Sequence, residues 1–213
     1  DIEEVSKAIG MDSRIGSSFL KTSVGFGGSC FQKDILNLVY LCRYYGLDEV
    51  AEFWNQVIKI NQYQKTRFSE KIISDLGGDV KEKVVSILGW AFKKNTNDSR
   101  ESASIEITLN LLLAGLKVRI YDPMVKKSSI LMDLESLLKI KKHSKTEINS
   151  FMKSVNIFDN HIEAIEKSHA VAILTEWDEF KTYEWDNILK NYPSLIVFDG
   201  RNIVPNAQYS IGK

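Results

Sequence analysis

The sequence has little of what staples or punctuates a chain: 213 residues hold two cysteines, three prolines and three histidines. Cys30 and Cys42 cannot build a disulfide framework, and His143, His161 and His169 lack ligand spacing, so no metal site is expected. Net charge is also absent. Twenty-eight basic residues balance 28 acidic ones, which removes any general attraction for nucleic acid or for an anionic membrane. Even the longest apolar stretch, Ile105 to Leu116, carries polar residues and falls short of the roughly 20 residues a membrane span needs. The opening Asp1-Ile2-Glu3-Glu4 has neither the basic start nor the apolar run of a signal peptide. A reducing, cytoplasmic setting is the expectation. No Gly-Lys-Ser/Thr closes a phosphate loop, and no G-x-G-x-x-G follows a strand, so neither a Walker site nor a dinucleotide fingerprint is present.

What is there suffices for a core. The hydrophobic fraction is 44% and the charged fraction 26%, both near the globular average, and the length leaves room for one large domain or two small ones. Residues 1–80 read as helical. Val5 to Ile9 is a short amphipathic piece, Gly16 to Ser29 a Gly- and Ser-rich loop, and Phe31 to Tyr45 a helix ended by Gly46. Asp48 to Leu76 contains no Gly or Pro and carries a stripe of Val50, Phe53, Trp54, Val57, Ile60, Phe68, Ile72 and Leu76. A helix of that length, on the order of 40 Å, is expected to bridge two domains or to pair with a copy of itself.

After Gly77-Gly78 the texture changes. Strands are expected at Val84 to Leu88, Lys117 to Tyr121, Ala170 to Leu174 and Leu195 to Phe198, with helices at Ser102 to Leu116, His161 to Lys167 and Phe180 to Asn191. This alternation defines an α/β fold, with a Rossmann-like doubly wound parallel sheet over residues 81–213 following the helical region. Residues 123–155 have no clear pattern, and their Lys139 to Lys145 run reads as a solvated face.

The most informative stretch is Gly25-Phe26-Gly27-Gly28-Ser29-Cys30-Phe31-Gln32-Lys33-Asp34. Ser29 and Gln32 have capping-box spacing, which would start the helix at Cys30. A cysteine in a first helical turn faces unpaired N–H groups and the positive end of the dipole, which favour thiolate. Lys33 and Asp34 lie three and four residues on and share its face. The plain alternative is a glycine loop capping a helix with Cys30 as a small packed residue. Cys42 sits mid-helix among Leu38, Val39 and Leu41 and reads as core. Three strand ends add charge: Lys93, Lys94 and Arg100 after the first, Asp122 after the second, and Asp199-Gly200-Arg201 after the last. Asp122 stands where a ribose-binding acid often sits, and together these ends suit an anionic, nucleotide-like ligand.

These segments resemble the nucleotide-sugar 6-dehydrogenases. Gly25 to Asp34 resembles that family's catalytic cysteine segment, and Phe-Gln after the cysteine is similar to eukaryotic-type members. Phe92-Lys93-Lys94, Ser99-Arg100-Glu101-Ser102, Tyr121-Asp122-Pro123, Thr175-Glu176-Trp177-Asp178 and Asp199-Gly200-Arg201 follow in the family's order. The resemblance implies a central helical dimerisation region with the cysteine loop over residues 1–80, a UDP-sugar-binding domain over residues 81–213, and a missing N-terminal NAD domain.

It further implies two-step, NAD-dependent oxidation of UDP-glucose to UDP-glucuronate. Cys30 would form a thiohemiacetal with the aldehyde-level carbon, hydride loss would give a thioester, and water would hydrolyse it, with Asp34 assisting proton transfer. Arg14, Phe19, Lys21, Ser23, Val24, Gly25, Phe26, Gly27, Phe92, Lys93 and Arg201 would bind the substrate, Arg14 reaching that of a partner subunit. Lys33 and Arg100 would face the cofactor, NAD. Because the family's catalytic lysine, glutamate and asparagine belong to the missing part, the chain alone is expected to be inactive. GDP-mannose or a UDP-N-acetyl sugar in place of UDP-glucose, and a non-catalytic UDP-sugar-binding and dimerisation module, remain as alternatives.

Overall fold

A computed structural model describes residues 1–77, 79–205 and 207–211. Three helices come first: α1 (Ile2–Gly10), α2 (Phe31–Tyr44) and α3 (Asp48–Asp75). The sheet region follows as β1 (Val84–Leu88), α4 (Ala103–Leu113), β2 (Lys117–Tyr121), α5 (Lys127–Ile140), α6 (Lys145–Lys153), β3 (Val155–Ile157), α7 (His161–Ile165), β4 (Ala170–Ile173), α8 (Asp178–Thr182), α9 (Trp185–Asn191), β5 (Ile196–Asp199) and β6 (Tyr209–Ser210). All six strands are parallel, in the order β3-β2-β1-β4-β5-β6. The order reverses between β1 and β4, which makes a crevice at their carboxyl ends.

The strands are short because helices cover both faces and each strand needs only a few apolar residues. β4 is buried at every position, and Val85, Ile87 and Leu88 of β1 are fully buried. Ser86 is the polar exception in β1. Its hydroxyl donates to the Ala164 carbonyl and meets the Ser168 hydroxyl at 2.8 Å, so burial leaves it satisfied.

The long helix serves two cores. Ala51 packs with Ile35, Val39 and Cys42 of α2 in a small cluster, whereas Phe68, Ile72 and Leu76 join the sheet core. Val50, Phe53 and Ile60 of the expected stripe are exposed, so that stripe divides between a buried and a solvent-facing side. Among the described residues no helix is long and apolar enough to cross a membrane.

Three expectations need correction. The helix read as Phe180 to Asn191 is broken at Tyr183, whose backbone is extended (φ −65°, ψ 141°). There the Tyr183 hydroxyl donates to Glu179 Oε1 at 2.5 Å, and its ring stacks on His161 at 3.5 Å. The stacking on His161, a residue remote in sequence, accompanies the break. Residues 123–155, read as patternless, hold α5, α6 and β3, and α6 opens with a capping box between Ser144 and Glu147. The third concerns α2: it starts at Phe31, Cys30 is its N-cap residue, and no side chain caps it.

Candidate functional site

The cysteine segment lies against α3 on one side and the carboxyl ends of the strands on the other. At the near end, Arg201 Nη1 donates to Ser23 Oγ at 2.6 Å, and Asn202 Nδ2 donates to Thr22 Oγ1 at 3.3 Å. Val24 is fully buried, and a methyl group at Gly200 would come within 2.4 Å of its Cγ1. The Val24 side chain therefore belongs to the core and leaves only its backbone to a ligand. In the middle, Phe26 N donates to Asn61 Oδ1 at 2.8 Å while Asn61 Nδ2 donates to Phe26 O at 3.1 Å. Further on, Gly28 N donates to the Arg100 carbonyl at 2.8 Å, and Gln32 Nε2 donates to Glu101 Oε2 at 2.9 Å.

That last bond explains the missing capping box. The Gln32 amide is engaged by Glu101 of the sheet region instead of reaching back to its own helix start, so the Ser29 and Gln32 spacing is met without the box. Ser29 Oγ lies 3.6 Å from Cys30 Sγ, and Cys30 is exposed.

Two glycines are required by geometry. Gly25 has φ +147°, and a side chain there would strike Asn61 Oδ1 at 2.8 Å. At Gly27 a methyl group would fall 2.5 Å from the Glu101 carbonyl oxygen, so the two backbones meet only because Gly27 has no Cβ. Gly28 packs under the Phe92 ring, and Lys93 Nζ lies 5.4 Å above that ring.

The structure thus brings Ser23, Gly25, Phe26, Gly27, Cys30, Phe92, Arg100 and Arg201 into one connected set. Arg14, Phe19 and Lys21 are exposed: Arg14 is held by Asp12 at 2.6 Å, and Phe19 stands fully in solvent with φ +62°. Lys33 and Asp34 are exposed and lie 3.7 Å from each other.

The charged strand ends divide into a structural and an available kind. Asp122 accepts from the amides of Trp90, Ala91, Met124 and Val125 and from Trp177 Nε1, at 2.6 to 3.1 Å. It is therefore a buried fastening between three loops, and its ribose-binding reading gives way. Asp199 likewise accepts from the amides of Arg201, Ile203 and Val204. Arg201 differs. It pairs with Glu176, yet its buried Nε and the buried Asn202 Oδ1 have no hydrogen-bond partner among the described residues. Burial pushes the Arg201 guanidinium down from its usual range, against the pull of Glu176 and Asp199.

Arg100 forms a two-point pair with Asp98, which raises the guanidinium and lowers the carboxyl. Lys33 and Arg100 line one cleft of about 430 Å³ with Ser29, Gln32, Leu36 and Glu101. Both cations of that cleft already meet a carboxylate, Lys33 that of Asp34 and Arg100 that of Asp98. Among the described residues, no group of three or more His, Cys, Asp or Glu is arranged to hold a metal.

Sequence reasoning missed Asn61, Lys65 and the link through Glu101. Asn61 and Lys65 lie one turn apart on α3 and are 5% and 3% exposed, so they occupy buried-face positions between Val57 and Phe68. Polar residues falling in phase with a buried stripe were the available signal.

The fold places the chain among nucleotide-sugar dehydrogenases: the structure of a UDP-glucose dehydrogenase from Pyrobaculum islandicum matches with a TM-score of 0.74 at 27% identity, over 98% of this chain and 42% of that one. The chain belongs to the UDP-glucose/GDP-mannose dehydrogenase family, whose central domain matches residues 1–63 and whose UDP binding domain matches residues 86–206. UDP-glucose 6-dehydrogenase 4 of Arabidopsis thaliana is 48% identical over all of this chain and 47% of its own length. UDP-glucose 6-dehydrogenase of Gallus gallus is 48% identical over 96% of this chain and 40% of its own length. The chain spans about half the length of the curated relatives it matches.

Proposed function

We propose that this chain is the cysteine-bearing and UDP-sugar-binding part of an NAD-dependent UDP-glucose 6-dehydrogenase. The observation that carries the reading is the pair of buried atoms Arg201 Nε and Asn202 Oδ1 near Ser23, both without a partner among the described residues, where a polar ligand would find a donor and an acceptor already desolvated. Family membership supports the same assignment.

On this reading residues 1–80 carry association and the cysteine, and residues 81–213 carry UDP-sugar recognition. Ser23 to Gly27 and Arg201 hold the glucosyl diphosphate with Lys21, Phe92 and Lys93. The Cys30 sulfur adds to the aldehyde-level C6 to give a thiohemiacetal, the thiol proton passing by way of solvent or Asp34 to the former carbonyl oxygen; loss of the C6 hydride to the oxidised cofactor would give a thioester, and water would hydrolyse it to the carboxylate and the free thiol. Lys33 and Arg100 would hold part of NAD, two molecules of which would each accept one hydride on the way from alcohol to acid. Turnover then requires an NAD domain that these residues do not provide. Two copies associate through the exposed apolar side of α2 and α3, including Tyr40, Phe53 and Ile60, and the family resemblance has Arg14 reach the substrate of the partner.

The test is a substrate panel. The full-length protein containing this chain is assayed for NAD reduction with UDP-glucose, GDP-mannose and UDP-N-acetylglucosamine. Turnover confined to UDP-glucose supports the reading, and turnover with another sugar alone replaces it.

A further inference from the structure

We propose that Asn61 is a positioning residue for the cysteine loop, acting on the UDP-sugar through the backbone of Phe26. The proposal rests on the reading above for its ligand and on the structure for its geometry. Asn61 lies on α3, outside the cysteine segment, and its side chain is buried. Its carboxamide satisfies both backbone groups of one residue: Oδ1 accepts from Phe26 N at 2.8 Å, and Nδ2 donates to Phe26 O at 3.1 Å. No other described side chain bonds to the Phe26 backbone. A bidentate amide fixes the rotation as well as the distance of the peptide groups it holds, which a single hydrogen bond does not.

The neighbouring residues show that the loop is shaped to this contact. Gly25 adopts φ +147°, and any Cβ there would strike Asn61 Oδ1 at 2.8 Å and the Lys65 stem at 3.3 Å. Loop and helix therefore approach as closely as they do only with glycine on one side and asparagine on the other. The Phe26 ring meets the Phe31 ring edge-on at 4.6 Å, which carries the constraint across Cys30 into the first turn of α2. A fixed Phe26 thus holds the amides of residues 25–28 ahead of the thiol. Loss of that hold would cost binding through disorder of the loop, with no ligand contact removed.

Asn61→Ala and Asn61→Asp are compared with Asn110→Ala in the full-length protein. Asn110→Ala removes another buried contact to α3, the Nδ2 bond to Ser69 Oγ at 3.0 Å, and leaves the loop alone. Hydrogen exchange is followed at the Phe26 amide, and calorimetry gives the Kd for UDP-glucose. Asn61→Ala should speed exchange at Phe26 and raise Kd about tenfold, the size expected for losing a buried hydrogen-bonded pair. Asn61→Asp keeps the acceptor for Phe26 N–H but turns a carboxylate oxygen onto the Phe26 carbonyl, so it should raise Kd at least as far as alanine does. Exchange at Phe26 in this variant, set against the parent, carries the comparison if the alanine variant does not fold. Asn110→Ala should lower thermal stability and leave Kd unchanged.

Unchanged exchange at Phe26 would overturn the clamp. Faster exchange with an unchanged Kd would overturn the positioning role and leave a structural one. A parent that binds no UDP-glucose would overturn the functional reading, while the exchange comparison would still decide whether Asn61 holds the loop.

Discussion

Arg201 at the end of β5 donates from Nη1 to Ser23 Oγ at 2.6 Å while its other amino group pairs with Glu176. One side chain therefore joins the carboxyl edge of the sheet to the start of the cysteine loop. Both members of the ion pair are largely buried, with side-chain exposures of 11% and 18%. Arg201→Met would strand the Glu176 carboxylate and is expected to cost about 3–5 kcal/mol, read by urea unfolding. Adding Glu176→Gln should return most of that stability without restoring UDP-glucose binding. Recovery of binding in the double variant would show that Arg201 does not hold the ligand.

The fate of Asp122 leads to a second prediction. Its carboxylate gathers donors from the loops after β1, β2 and β4, so Asp122→Ala leaves several buried N–H groups without an acceptor. The expected loss is at least about 3 kcal/mol, by the desolvation cost of unsatisfied buried donors. Urea unfolding checks it. A stable variant with lost cofactor affinity would instead return Asp122 to a binding role.

His161 gives a dependence on pH. Burial holds the imidazole below its usual range, against Glu179, and the ring faces Tyr183 and Tyr121. Since the unfolded chain takes up the proton more readily, this contribution is present above the ordinary imidazole pKa of about 6.5 and is lost as pH falls from there through the lower pKa of the folded state. Thermal unfolding between pH 7.5 and 5 should show Tm declining. His161→Phe should flatten that decline, and an identical slope would exclude His161 as its source.

How far the sequence was legible follows from the range of the interactions concerned. β1 and β2 were found with their observed bounds and α3 to within a residue, because uninterrupted apolar patterning sets them locally. β3 and β6, with three and two residues, are too short to carry a pattern, and they exist because a neighbouring strand offers an edge. The break at Tyr183 accompanies stacking on His161, which is remote in sequence. At the site, the Gly25 to Asp34 segment was conspicuous, but what holds it was hidden. Gln32 fitted a local cap and bonds to distant Glu101, Asn61 drew no reading because its partner lies 35 residues away, and Asp122 looked like a ligand to ribose until its donors were seen.

On the proposed function, Cys30 carries the chemistry on a bound UDP-glucose. The most direct measurement is NADH formation from UDP-glucose by the full-length protein, by its Cys30→Ser variant and by residues 1–213 alone. Turnover with two NADH per sugar is expected of the parent, and none of residues 1–213. Cys30→Ser should lose at least about a hundredfold in rate, equivalent to about 2.7 kcal/mol of transition-state stabilisation. A Cys30→Ser protein that turns over UDP-glucose at the parent's rate would remove Cys30 from the chemistry and leave it as the N-cap residue of α2.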